Sequence, residues 1–394
     1  MRYSRHYNLY KNRQSIIFDI IYQIIFEKVF SERYSMILAF GFSYWKHKYI
    51  QPFLEDEIVF VNPISKKNLL KKAIKKGLSS DSTLYIWGRK SFEDIEHYAK
   101  KHHIKIYRVE DGFIRSVALG SDLTQPYSLV VDSRGIYFDP TCKSDLEEIL
   151  STYEFANDPQ LIERAKKLKE QIILNKISKY NADSNRTLDF SSCKKTVALV
   201  AGQVEDDASI RYGANGMTNL ELLQTVKKHY PDRYILFKPH PDVLSGNRVG
   251  NIPQEEALRY CDEVITDIAM ASVLEAVDEL HTMTSLTGFE ALVYGKKVYT
   301  YGLPFYAGWG LTIDREQCSR RGRKLDVDAL VAAVYLLYPR YISPKTMKQC
   351  EAEEVICELT AQKEALERSW LLRAKFKTYN TLSRFSQKLL RFLK

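Results

Sequence analysis

At 394 residues, with 45% apolar and 27% charged side chains, the chain has the make-up of a folded globular protein and length for two cores. Its six cysteines (Cys142, Cys193, Cys261, Cys318, Cys350, Cys357) form no CxxC pair, which excludes a disulfide frame or zinc site and fits reduced thiols of a cytosolic protein. The net charge of +9 comes with no nucleic-acid-binding motif, so nucleic acid is not an expected partner; the 26 tyrosines suit sugar contacts and cores alike.

The apolar start, Ile16 to Phe26, is interrupted by Asp19 and Gln23 and lacks a small-residue cleavage site. It predicts an amphipathic helix, being too short to span a bilayer. Strands are predicted at Met36–Phe40, Ile58–Val61, Leu84–Trp87 and Ile104–Val109, with helices around Lys66–Lys76 and Phe92–His102. Tyr127–Asp132 and Ile136–Phe138 flank Ser133-Arg134-Gly135 as a hairpin, and Ser144-Asp145-Leu146-Glu147 opens a helix with a capping signature. A polar helix, Pro159 to Ser178, leads to the linker candidate Asn181–Arg186. The alternation restarts with strands at Thr196–Gly202, Tyr234–Phe237, Glu263–Thr266, His281–Thr284 and Val298–Gly302, and a helix at Asn219–Tyr230. From Asp326 onward the pattern reads helical. Alternating strands and helices predict an α/β fold with two halves facing a cleft: residues 1–185 carrying a carboxylate site, 190–340 a nucleotide site, and 341–394 a helical tail. From Trp370 to Lys394 there are seven basic residues, no acids, and apolar residues three or four apart. That is a basic amphipathic helix, suited either to an anionic membrane surface or to packing on the body.

Chemistry concentrates at strand ends. Glu110-Asp111-Gly112 closes one apolar run, and Lys238-Pro239-His240-Pro241-Asp242 closes another. A strand end holds a reacting group more firmly than a loop does. Ser285-Leu286-Thr287-Gly288-Phe289-Glu290 reads as a strand-to-helix junction, where hydroxyls and free amides make a phosphate site. Glu290 there suits a ribose hydroxyl, or a plain capping box. Gln203 follows another strand end and leads into Glu205, Asp206 and Asp207. Those three acids fit acceptor hydroxyls, a metal, or an ordinary surface loop.

These residues carry a family resemblance. Val109–Ser116, Ser128–Asp132 with Gly135–Tyr137, Gly202–Asp207, Lys238–Asp242, Asp278–Leu292 and Tyr301–Thr312 resemble the bacterial capsule polysaccharide synthesis proteins that act as β-Kdo transferases, where Kdo is 3-deoxy-D-manno-oct-2-ulosonic acid. The likeness runs from about Trp87 to Tyr341. Family members often hold two such modules, and this chain has one. The acid-acid-glycine and His-Pro pair is also similar to that of certain bacterial sialyltransferases.

The resemblance implies a GT-B-like fold of two Rossmann-like domains, CMP-Kdo as donor, a saccharide or glycolipid acceptor and retention of the β configuration; no cofactor or metal is expected, because a helix start and basic side chains can neutralise phosphate without one. It implies action in the cytoplasm, with the basic tail suited to the inner-membrane face. His240 and Lys238, with Pro241, Ser285, Thr287 and Gly288, then suit the donor phosphate. Gln203 and Glu290 join the donor site, and Arg115 or Arg211 suits the Kdo carboxylate through a guanidinium fork. Asp111 is the expected nucleophile, with Glu110 as the alternative reacting carboxylate. An inverting CMP-sialic-acid-type transferase would use the same carboxylate as base. A capsule-assembly scaffold would need neither.

Overall fold

A computed structural model describes residues 36–54, 56–61, 68–117, 124–179, 187–246, 248–369 and 372. The apolar runs of the first half become β1 (Ile37–Phe40), β2 (Ile58–Val61), β3 (Thr83–Trp87), β4 (Lys105–Asp111) and β5 (Ser128–Asp132). Between them lie α1 (His47–Ile50), α2 (Leu69–Lys75) and α3 (Glu93–Lys101). Helices α4 (Asp145–Thr152) and α5 (Pro159–Leu174) follow. The second half alternates β6 (Val197–Ala201), α6 (Ala208–Gly213), α7 (Asn219–His229), β7 (Tyr234–Lys238), α8 (Pro241–Leu244) and α9 (Gln254–Ala257). It continues with β8 (Glu263–Val264), α10 (Met270–Ala276), β9 (Glu279–Thr282), α11 (Leu286–Val293), β10 (Lys297–Thr300) and β11 (Ile313–Asp314). After α12 (Val327–Val331) come β12 (Pro339–Ile342), β13 (Gln349–Cys350) and α13 (Ala352–Arg368).

The strands make two sheets. One has the order β13-β12-β5-β4-β3-β1-β2, with β2, β1, β3 and β4 parallel and β5 antiparallel to β4. The other has the order β11-β10-β9-β6-β7-β8 and is parallel throughout. Parallel strands buried on both faces read as continuous apolar runs, and β1 and β6 are buried along their whole length. In the second sheet β6 lies between β7 and β9, so the strand order reverses there. Beyond the carboxyl ends of strands at such a switch point lies the natural crevice of an open α/β sheet.

A shared core joins the halves. Phe113, directly after the acid pair, is buried with its ring 5.2 Å from that of Phe305 and 6.5 Å from that of Phe289, both from the second half. Buried Glu147 at the start of α4 accepts from Arg321 Nε at 3.0 Å and from Arg320 Nε at 2.6 Å. The turn that presents the acid pair is therefore anchored to both halves.

Two local expectations give way. Ile136–Phe138 is not a strand, so no hairpin forms. The Asp132 carboxylate instead accepts from the backbone N–H groups of Arg134, Gly135 and Asp145 at 2.7–2.9 Å, which turns the chain and drops Ile136 into the core. The region after Asp326 is not wholly helical either. Pro339–Ile342 pairs antiparallel with β5 and carries β13 on its far side. Helix α13 then docks through Glu353, whose carboxylate takes Arg164 Nε of α5 at 2.6 Å. The linker candidate at 181–186, the apolar start and nearly all of the basic tail lie outside the described residues. Among the described residues no helix is long and apolar enough to cross a membrane.

Candidate active site

The carboxyl ends of both sheets open into one cleft of about 780 Å³. From the first sheet its wall takes Trp87, Gly88 and Arg89 at the end of β3 and Glu110 and Asp111 at the end of β4. From the second it takes Gln203 after β6, Lys238, His240 and Pro241 after β7, and Ser285 and Thr287 after β9. The strand-end motifs thus come together across a gap.

The two acids of the pair differ sharply. Asp111 is buried between two cations, with Lys46 Nζ 2.8 Å from Oδ1 and Arg115 Nε 2.8 Å from Oδ2. Burial works against its charge, but Arg115 and Lys46 overcome that and hold Asp111 well below the usual carboxylate range. Burial in turn pulls the Lys46 ammonium down, against Asp111 and Glu110. Arg115 has no neutral form at ordinary pH, so it is the firmer counter-ion. Glu110 is pushed up to about 7, first by burial and then by the Asp111 charge, with Lys46 and a peptide N–H pulling the other way. The peptide N–H is that of Asp111, 3.0 Å from Glu110 Oε1. One carboxylate is locked ionised; its neighbour exchanges a proton near neutral pH. Gly112 makes the turn possible, because a Cβ there would fall 2.4 Å from Ser128 Oγ.

Across the cleft, His240 caps α8 by accepting the Asp242 N–H on Nδ1 at 3.1 Å. Burial lowers its pKa, against the pull of Asp242 and Asp207. The imidazole is therefore neutral at pH 7 with its proton on Nε2, a hydrogen-bond donor. Lys238 is buried beside it on the wall. Ser285 caps α11, its Oγ accepting from Thr287 N at 3.2 Å and donating to Thr287 Oγ1 at 3.1 Å.

Other expected residues are placed differently. Arg115 is fully buried and off the cleft wall, bound to Asp111, to Ser116 Oγ at 2.7 Å and to the Thr124 carbonyl at 2.9 Å, so it has no reach to a ligand carboxylate. Arg211, on α6, does line the cleft and is exposed. Gly288 is not on the wall: a Cβ there would sit 2.0 Å from Tyr306 Oη, so glycine makes room for the ring whose hydroxyl donates to Ser285 O at 2.5 Å. Glu290 reaches the cleft but makes no capping box, because Ser285 is the cap and Gly288 holds the third helical position. Its Oε1 accepts the Lys179 N–H at 3.0 Å, and burial raises its pKa. Gln203 ties β6 to β9, accepting Thr284 N at 2.8 Å.

The acidic loop splits. Glu205 Oε1 accepts Asn219 N at 2.7 Å and Asp206 pairs with Arg248 at 2.9 Å, both off the wall. Asp207 alone of the three lines the cleft. Its Oδ1 takes both the Ser209 N–H and hydroxyl at 2.9 Å, and no hydrogen bond is made to Oδ2 among the described residues. No group of three or more His, Cys, Asp and Glu suited to a metal occurs among the described residues. Sequence reasoning missed Lys46, Arg89, Lys90, Ser178, Lys179 and Arg248. Arg89 follows a strand-end glycine and was findable by the logic applied to Gly112; the others belong to no motif.

A family model described as capsule polysaccharide biosynthesis protein matches residues 83–341. The capsule polysaccharide modification protein LipA of Neisseria meningitidis serogroup A is 44% identical over 367 residues, 92% of this chain and 51% of the relative. The lipopolysaccharide-processing protein LpsZ of Rhizobium meliloti is 37% identical over 340 residues, 86% of this chain and 77% of the relative. The chain thus spans about half the length of LipA. Two solved structures of Thermosulfurimonas dismutans KpsC are similar. One, described as a β-Kdo 2,7 transferase, is 37% identical with a TM-score of 0.66 over 84% of this chain and 100% of that one. The other, a β-Kdo 2,4 transferase, is 31% identical with a TM-score of 0.71 over 83% and 98%. The two-sheet architecture is the GT-B-like one of these neighbours. With the matched span covering the ends of β3, β4, β6, β7 and β9 that line the cleft, the chain belongs to the capsule polysaccharide biosynthesis protein family.

Proposed function

We propose that the chain is a retaining β-Kdo transferase that moves Kdo from CMP-Kdo to a bacterial surface saccharide or glycolipid. The observation that carries this reading is one cleft with a proton-exchanging carboxylate on one wall and a neutral, donating histidine beside a lysine and a helix start on the other. The KpsC neighbours, described as β-Kdo transferases, support the donor class. A ketosugar leaving CMP develops positive charge at its anomeric carbon and negative charge on the departing phosphate. His240 Nε2–H, Lys238 and the start of α11 suit the phosphate, and Arg211 suits the sugar carboxylate.

Retention needs two roles, an attacking carboxylate and a proton carrier. Asp111 suits the first poorly, since both its oxygens are bound to cations. Asp207 is the proposed nucleophile: it lines the cleft and, among the described residues, makes no hydrogen bond through Oδ2. Its oxygen bonds to the anomeric carbon as the carbon–phosphate-oxygen bond breaks. Glu110 then accepts the proton of the acceptor hydroxyl as that oxygen displaces Asp207. In the presence of CMP-Kdo without acceptor, the protein is expected to gain the mass of one Kdo on the peptide bearing Asp207, and Asp207→Asn to gain none. An adduct on Asp111 would return the role to that residue.

The deciding assay combines the protein with CMP-Kdo made in situ and a panel of Kdo- and sugar-terminated acceptors, followed by NMR of the product. A β-linked Kdo, formed equally with EDTA present, is expected. A purely α-linked product or use of a UDP-sugar alone overturns the reading; loss on chelation with rescue by magnesium overturns its metal independence. His240→Ala is expected to weaken CMP binding and turnover together, by about 10- to 100-fold for loss of one hydrogen bond to a charged group. Unchanged CMP affinity by calorimetry contradicts the phosphate role.

A further inference from the structure

The chain leaves the first half at the wall of the cleft. After α5, Ile177 is buried in the core, and Ser178 and Lys179 follow on the cleft wall. The Lys179 backbone N–H is fastened to Glu290 Oε1 of α11 at 3.0 Å, so this segment is held against the second half at the level of the helix start. The Lys179 charge acts on groups of both halves: on Glu110 at the end of β4, and on Glu290 and His240 opposite. No motif contains this residue, yet topology places its cation where the walls meet.

We propose that Lys179 is a donor-binding residue whose ammonium bridges the anionic centre of the activated sugar, phosphate or carboxylate, to the Glu110 side of the cleft. The inference rests on the functional reading above and deepens it. A cation held by the segment joining the halves draws the acidic donor between the two walls, and beside Glu110 it favours the ionised base over the protonated one. The charges facing Glu110 are Asp111 on its own strand, Lys46 from the turn before α1, and Lys179.

The test measures CMP affinity by calorimetry and the pH dependence of kcat/KM for the wild type, Lys179→Met and Lys179→Arg. The fastening to Glu290 uses the backbone of Lys179, so both variants are expected to keep it. Lys179→Met is expected to bind CMP-Kdo more weakly by roughly tenfold or more, the scale of a charge-assisted hydrogen bond. Its acidic limb is expected to move to higher pH, because Glu110 loses a cation that favours its ionised form. Lys179→Arg is expected to restore both. CMP alone separates the ligands: weakened CMP binding assigns Lys179 to the phosphate, and unchanged CMP binding with a raised donor KM assigns it to the sugar carboxylate. A Lys179→Met protein with wild-type donor KM and wild-type pH profile overturns this inference alone. A wild type that neither binds CMP nor uses CMP-Kdo overturns the functional reading and this inference with it.

Discussion

Glu110→Gln is expected to lower turnover by about 10²- to 10⁴-fold, the usual contribution of a positioned general base, while leaving the fold intact. The amide matches the carboxyl in shape and can still accept the Asp111 N–H that Glu110 now takes at 3.0 Å. Stability should separate the proton-carrying role from a structural one. The Glu110 pKa in the folded protein, about 7, lies above its ordinary value of 4.5, so folding favours the protonated form. The stability this lends is fully present below about pH 4.5 and is lost as pH rises through 7. Wild-type melting temperature is therefore expected to carry a downward component across that window that Glu110→Gln lacks. The same group would set the acidic limb of kcat/KM near pH 7, and the variant's residual activity should show no such limb. A variant with wild-type turnover assigns the proton transfer elsewhere.

What the sequence displayed, and what it hid, follows from range. The ends of β3, β6 and β7 were legible because a buried parallel strand is a near-continuous apolar run, and the break in that run marks the crevice; β4 is only partly buried and pairs antiparallel with β5 on one side, and it was legible from the acid pair and glycine that close it. The partner of Asp111 was not. Arg115 stands four residues away and looked like a ligand for a sugar carboxylate, but the chain turns at Gly112 and folds its guanidinium back beneath the acid. Lys46, the other counter-ion, comes from 65 positions earlier, in a segment without a motif. The strand Pro339–Ile342 was hidden for a related reason: four residues beginning with proline carry little β signal, and their partner β5 lies some two hundred residues upstream. Among the acids after Gln203, spacing treated three alike, whereas the fold gives Glu205 to Asn219, Asp206 to Arg248, and only Asp207 to the cleft.

Asp111→Asn is expected to cost stability as well as activity, on the order of 3–5 kcal/mol, because it leaves buried cations without their shared anion. The two cations should not suffer equally. Burial already pulls Lys46 toward its neutral form, so without Asp111 it can lose its proton. Arg115 cannot, and it is fully buried with its Nε aimed at the missing carboxylate. The double variant Asp111→Asn with Arg115→Met is therefore expected to recover more melting temperature than Asp111→Asn with Lys46→Met. The acid dependence follows from the same pair. The Asp111 pKa is depressed in the folded state, so its stabilisation is present above the ordinary carboxylate value and is lost as pH falls through the depressed one. Asp111→Asn should lack that acid-side loss and converge on the wild type at low pH. Activity reads out the second consequence: with Asp111 gone, Glu110 loses the negative neighbour that helps raise its pKa, and any surviving acidic limb should move to lower pH. If Asp111→Asn instead melts like the wild type and has no turnover at all, the buried ion pairs are not what Asp111 is for, and it becomes the attacking carboxylate in place of Asp207.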